Sequence, residues 1–399
     1  MSFVLRRPRL KATWTTFAYL ATYGYVLYGL GNATPYLRDD LRLTGFEGGL
    51  HASAMAIGVL LAGSSADELA HRVGATWLLD LSVSCLIAGM ILIVVAPALP
   101  VSLAGALLLG FGGGALGTHV NVKLGGSGGA ESRKLLGQAN AWSMVAAAAA
   151  PLAIGLAASF HAWRIAMLLP IAGFLVLGFL RPSSDEAPPL VRGPRPGLPG
   201  SYWFAWLFLI VGVSIEFSFV YWGSTMVGRK TGLSDADATL LASMFVVGML
   251  TGRTAIGRGI GSGRGIRGLM SVGLVAVLVG GSLIWISPDR IVSGLGLFLG
   301  GVGCAGLWPL GVTAALQVAP KAPLTAAARA TFASGLAVLV APSGLGLLSD
   351  GVGVVAAWPV VLMLAVLALL LLAVTPPGPA AMSPELATSG EATAARTRP

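Results

Sequence analysis

Charge is what this sequence lacks most. Of its 399 residues, 25 are Lys or Arg and 16 are Asp or Glu, 10% in all, against roughly 25% in a soluble domain. So few charges cannot build a water-facing surface, which excludes a soluble globular chain. Cysteine is nearly absent. Cys85 and Cys304 both fall inside apolar runs, which excludes a disulfide framework and a cysteine metal site; each is expected to pack as a small residue. No kinase or ATPase phosphate loop, no metal-ligand cluster and no paired catalytic groups occur. An enzyme, a bound cofactor and nucleotide-driven work are therefore not expected.

What is present is apolar length. Hydrophobic residues make up 55% of the chain, and a membrane helix needs about 20 of them in a row. Twelve runs meet that length: 12–33, 48–66, 74–96, 101–122, 136–158, 161–180, 201–226, 236–256, 266–286, 291–316, 325–349 and 352–374. The first follows Arg6, Arg7, Arg9 and Lys11, but it is too long for a cleaved signal core and is expected to be retained. With the N-terminus in the cytoplasm, only Arg38, Arg42, Arg164, Arg229, Lys230 and Arg290 of the 25 basic residues face outward. That bias predicts both termini in the cytoplasm of a cell whose plasma (inner) membrane holds the chain. It also turns the net charge of +9 into a topology signal, so no nucleic-acid partner is expected.

The stretch RPSSDEAPPLVRGPRPGLPG is rich in Pro and charge and predicts a cytoplasmic linker over 181–200. It divides a bundle at 1–180 from a bundle at 201–375, with a disordered polar tail at 376–399. The two parts repeat. Leu107, Leu109, Gly110, Gly113 and Ala115 match Leu297, Leu299, Gly300, Gly303 and Ala305 at an offset of 190, as Gly58 matches Gly248. APLAIGL from Ala150 matches APSGLGL from Ala341 at 191. The expected fold is all-α and membrane-integral, with twelve transmembrane helices in two pseudo-symmetric bundles of six. Transporters with such repeats bind solutes between the halves near the midplane.

GSSADELAHRVG, from Gly63 to Gly74, resembles the loop signature of the major facilitator superfamily through Gly63, Asp67 and Arg72; Glu68, Ala70 and His71 depart from it. GMLTGRTAIGRG from Gly248, with Arg253 and Arg258, is the second-half counterpart. The resemblance implies a conformational gate: Asp67 would hold the bundles together on the cytoplasmic side, with Arg253 and Arg258 as further gate candidates. VGVSIEFSFVYWG, CAGLWPLGV and APSGLGLLSDGVG resemble the seventh, tenth and eleventh spans of the fucose-permease-like branch. Gly117 stands where that branch has an acid, and span four lacks the arginine of drug–proton antiporters. The resemblance therefore implies no particular sugar.

Glu216, alone in the middle of span seven, is the leading candidate for proton or substrate binding, because a desolvated carboxyl group favours its neutral form. Its alternative is a structural hydrogen bond to a neighbouring helix. Other candidates are Tyr23 and Tyr25, Asn32 on the face of Tyr25 and Tyr28, His119, Asn121 and Asn140 near the cytoplasmic ends of spans four and five, and Trp222 and Trp308. These imply a monomeric secondary transporter of a small organic solute, working by alternating access and coupled to protons. A drug or metabolite efflux antiporter is the alternative; a non-transporting receptor is the reading from another class.

Overall fold

The computed structural model describes residues 6–125, 129–180, 197–261 and 265–375. Every regular element among them is a helix. In chain order these are α1 (Arg6–Leu41), α2 (Gly45–Val73), α3 (Ala75–Val95), α4 (Leu99–Gly125), α5 (Gly129–Ala158), α6 (Trp163–Leu180) and α7 (Tyr202–Thr231). They continue as α8 (Asp235–Gly261), α9 (Ile266–Ile286), α10 (Arg290–Cys304), α11 (Leu307–Val318), α12 (Pro323–Val352), α13 (Val354–Ala357) and α14 (Pro359–Val374). The linker expected at 181–200, apart from its last four residues, and the tail at 376–399 lie outside the described residues.

Eleven segments among the described residues are long and apolar enough to cross a membrane, as expected of an integral membrane protein. Helices dominate because hydrocarbon offers no partner for a backbone N–H or C=O, so each segment must satisfy its own. The first helix is not among the eleven although it is 36 residues long. Four tyrosines and several threonines dilute its apolar run. Two expected single spans are broken helices. The tenth stops at Cys304 and restarts at Leu307, just before Pro309, whose missing N–H and fixed φ favour a helix start. The twelfth is divided at Trp358. By contrast Pro151 and Pro342 sit inside continuous helices. The stretch expected to form a loop after span two is also helical, since α2 runs on to Val73.

Close packing rests on glycine, and its pattern shows the internal repeat at atomic detail. A Cβ at Gly58 would fall 2.1 Å from the Leu107 carbonyl oxygen, and one at Gly110 would fall 1.9 Å from that of Met55. In the second part, Gly248 meets the Phe298 oxygen at 2.1 Å and Gly301 meets the Phe245 oxygen at 1.9 Å. The Gly89–Gly105 crossing of α3 and α4 likewise recurs as Gly280–Gly296 between α9 and α10. The α2–α3–α4 packing is thus repeated by α8–α9–α10. The equivalences correct the sequence alignment of span four with span ten: Gly110 corresponds to Gly301, not Gly300, an offset of 191. One residue is about 100° of helix rotation, so the offset of 190 places matched residues on different faces.

These contacts predict a sharp contrast in stability. Gly110→Val would push a branched side chain onto backbone that cannot yield, and overpacking costs about 1–3 kcal/mol or more. Gly178→Ala, with nothing within 4 Å of the new methyl group, should be near neutral. Thermal unfolding of the two purified variants should separate them by several degrees; equal melting would refute the packing argument.

Candidate functional site

The two ends of the molecule are packed differently. The end that holds Leu180 and Leu198 is here the linker end; at the opposite, far end, helices from the two parts of the chain touch directly. A Cβ at Gly49 of α2 would lie 2.4 Å from the Ser343 Cα of α12, and one at Gly346 would lie 2.3 Å from the Gly45 carbonyl oxygen. The Asp350 carboxylate, at the end of α12, accepts from the Gly45 and Phe46 N–H groups that open α2, at 2.6 and 2.8 Å. Helix N-termini favour such anions. Ser53 donates to the Leu339 carbonyl at 2.6 Å, and Tyr36 donates to the Asp235 carbonyl and Thr239 hydroxyl at 2.9 and 2.8 Å.

Toward the linker end the same helices diverge around a cavity of about 760 Å³, lined by α1, α2, α5, α7, α8, α11 and α12 and by Ala305 in the break between α10 and α11. Its wall includes Gly137 near the start of α5, Ile256 near the end of α8 and Thr331 near the start of α12. At Gly137, on the wall itself, an added Cβ would meet nothing within 4 Å. The cavity thus extends toward the linker end, while the contacts of α2 with α12 close the far end.

Glu216 sits on the cavity wall, midway along α7 and 8% exposed. The Tyr28 hydroxyl of α1 donates to its Oε1 at 2.6 Å, a separation typical of a charge-assisted O–H···O bond. The same hydroxyl lies 3.6 Å from the Met249 sulfur of α8. Arg253 of α8 lines the same cavity, and Cys304 is buried at the end of α10. A single carboxylate thus ties α1 to α7, across the boundary between the two parts of the chain. Trp308, brought to the wall by the break between α10 and α11, donates to the Ser334 hydroxyl at 2.7 Å.

The structure brings Glu216, Tyr23, Asn140, Trp308 and Arg253 together around this cavity. Asn140 donates to its own helix at the Leu136 carbonyl, 2.8 Å away. Tyr23 fills the space left by Gly113, where a Cβ would fall 2.1 Å from its ring. The remaining candidates lie elsewhere. Tyr25 donates to the Ala166 carbonyl at 2.9 Å and faces a separate apolar groove between α1, α5 and α6. Asn32 is buried one turn beyond Tyr28 and donates to its carbonyl at 2.9 Å. Trp222 is 2% exposed and belongs to the far-end seal: it donates to the Pro342 carbonyl at 2.9 Å under the Arg38 guanidinium. His119 is buried in α4 and Asn121 is exposed near its end, both away from the cavity.

Of the gate candidates, Arg258 is exposed in the last turn of α8 and Gly63 is exposed on α2. The Asp67 and Arg72 side chains lie outside the described residues, on the helical backbone of α2. Arg253 is a cavity residue. Sequence reasoning missed Tyr28 as a site residue and the whole far-end seal of Gly45, Gly49, Gly346 and Asp350. Tyr28 had a signal, being one turn from Tyr25 on a span that was itself a candidate.

No protein-family model matches the chain, and no curated protein sequence matches it. Solved structures do. A variant of the nucleoside transporter NupG superposes with a TM-score of 0.75 over 92% of this chain and 99% of its own, at 14% identity. A D-xylose–proton symporter gives 0.75 over 92% and 98%, also at 14%. A bacterial homologue of the human lysosomal transporter Spinster, inward-facing and occupied, gives 0.74 over 92% and 96%, at 13%. At such identities the likeness shows the fold alone: this chain shares the architecture of those three solved structures.

Proposed function

We propose that this chain is a secondary active transporter that moves a small organic solute across the plasma membrane by alternating access, coupled to protons at Glu216. The observation that carries the reading is the buried Glu216–Tyr28 bond on the wall of a cavity sealed at one end. Such a carboxylate can exchange protons with whichever side the cavity faces. The similar solved structures are transporters, one of them a proton symporter by name, which supports the same reading.

In it, α1 is the twelfth span, both termini are cytoplasmic, and the open linker end faces the cytoplasm. Residues 1–180 and 201–375 form two six-helix bundles joined by the linker at 181–200, with a tail at 376–399. The bundles rock about the central site; Gly63, Asp67, Arg72 and Arg258 act at the cytoplasmic closure. The protein works as a monomer in the bilayer, without a cofactor.

Proteoliposomes loaded with a pH-sensitive dye test this. Sugars, nucleosides, amino acids and monocarboxylates are added in turn under an imposed pH gradient. At least one class should drive proton movement with wild-type protein. In Glu216→Gln, proton movement should fall at least ten-fold while solute exchange without a gradient persists. Full proton-driven accumulation by Glu216→Gln would remove Glu216 from the mechanism.

A further inference from the structure

The charge inventory of the cavity points to a substrate class. Among the described residues that line it, Glu216 is the only acid and Arg253 the only base. Their positions are not equivalent. Glu216 already has the Tyr28 hydroxyl, whereas Arg253 stands on the wall half-buried; its Nε–H is closed off from the open space and has no hydrogen-bond partner. A planar fork of donors is also the group best shaped to grip a carboxylate with two parallel bonds. The rest of the wall is apolar and aromatic, with Leu27, Met55, Phe217, Leu250 and Trp308 facing the space.

Resting on the transporter reading above, we propose that the cavity binds a monoanionic, amphipathic organic acid. Its carboxylate is held by Arg253, its apolar body lies between Phe217 and Trp308, and it is carried together with one proton on Glu216. The reason is the cost of leaving a net charge in a confined space with largely apolar walls. Arg253 and Glu216 sum to zero when the cavity is empty of solute. A bound carboxylate takes the Arg253 charge for itself and leaves the cavity with one net negative charge. One proton, drawn from the solution filling the cavity and bound to a Glu216 carboxyl oxygen, returns the sum to zero. The Tyr23 and Tyr28 hydroxyls of α1 on the wall and the Cys304 thiol buried at the end of α10 cannot do this: they enter neutral and can only lose protons. The cavity faces of α2, α5, α11 and α12 present no titratable side chain. A cationic solute would add a positive charge that Arg253 cannot offset, since an arginine does not deprotonate.

The test uses purified full-length protein and a panel of aromatic and aliphatic monocarboxylates, each matched with its amide and its amine. Thermal stabilisation reports binding, and a dye in weak buffer reports proton uptake. At least one acid should bind ten-fold or more tightly than its own amide and amine, with one proton taken up per acid. Arg253→Gln should erase that preference, weakening the acid by about ten- to a hundred-fold and the amide by far less; Arg253→Lys should keep part of it. Glu216→Gln should bind the acid with no proton uptake. Preference for amines or amides, no stabilisation by any acid, or an undiminished acid preference in Arg253→Gln would each overturn the proposal and leave transport of another solute standing. Acid binding with proton uptake but no flux in proteoliposomes would uphold the site and sink the transporter reading instead.

Discussion

Gly49→Leu should abolish transport and turn the cavity toward the far end. The position has no slack: a Cβ would lie 2.4 Å from the Ser343 Cα, 2.6 Å from the Pro342 oxygen and 2.7 Å from the Ser343 nitrogen. All three are backbone atoms of α12, so no rotamer change relieves the clash, and leucine adds three further carbons. Overpacking alone costs about 1–3 kcal/mol. Separating α2 from α12 also breaks the two bonds from Gly45 and Phe46 to Asp350. Asp350 is solvent-exposed, so each is worth about 1 kcal/mol. The sum approaches the ~5.5 kcal/mol that converts a 99:1 population into its inverse. The readout is maleimide labelling in detergent, after both native cysteines have been replaced. Ser53→Cys, buried between α2 and α12, should label at least ten-fold faster with Gly49→Leu than without it. Asn140→Cys, on the cavity wall, should label more slowly. Unchanged labelling together with normal transport would show that this contact is not the closed gate.

How much of this could be read from the sequence depends on the kind of information each feature needs. Spans were legible because bilayer thickness sets their length and hydrocarbon forbids charge. Glu216 was legible for the same reason, as a violation of that rule. Helix rotation was not. Tyr25 and Tyr28 lie about 60° apart around one helix, and with polar and aromatic residues mixed along α1 the spacing does not say which of them faces inward. Tyr28 reaches Glu216 and Tyr25 reaches Ala166, a choice made by α7 and α6 rather than by α1. The span-four alignment missed by one residue for a related reason: glycine-rich helices match in several registers, and only the crossing contacts of Gly110 and Gly301 select one. The far-end seal was hidden because Gly45, Gly49, Gly346 and Asp350 are ordinary residues far apart in the chain. Their meaning lies in the meeting of α2 with α12. Arg253 was picked out through a motif and given the motif's role; its place on the cavity wall depends on the path of α8 past α7.

Tyr28→Phe should disable proton coupling nearly as fully as loss of Glu216 itself, and the two changes should not add. The phenol makes the direct hydrogen bond to the carboxylate, in a position 8% exposed where water replaces it poorly. Removing a hydrogen bond to a charged group costs about 1.5–3 kcal/mol, against about 1 kcal/mol for a neutral pair. Tyr28→Phe should therefore destabilise the wild-type background more than the Glu216→Gln background, by a coupling energy of about 0.5–2 kcal/mol in a double-mutant cycle. Methionine cannot take over, because the Met249 sulfur lies beside the same hydroxyl as a weak acceptor and offers no proton. In proteoliposomes the single variant should lose at least ten-fold in pH-driven accumulation, and adding Glu216→Gln should change it little further. Additive losses would mean that Tyr28 and Glu216 act separately. The bond across α1 and α7 would then be a structural clamp, and the proton site would have to be sought elsewhere on the cavity wall. Non-additivity in both stability and coupling would make one bond the place where the proton and the helix contact are linked: an arriving proton removes the charge that holds Tyr28, and with it part of the tie between the two parts of the chain.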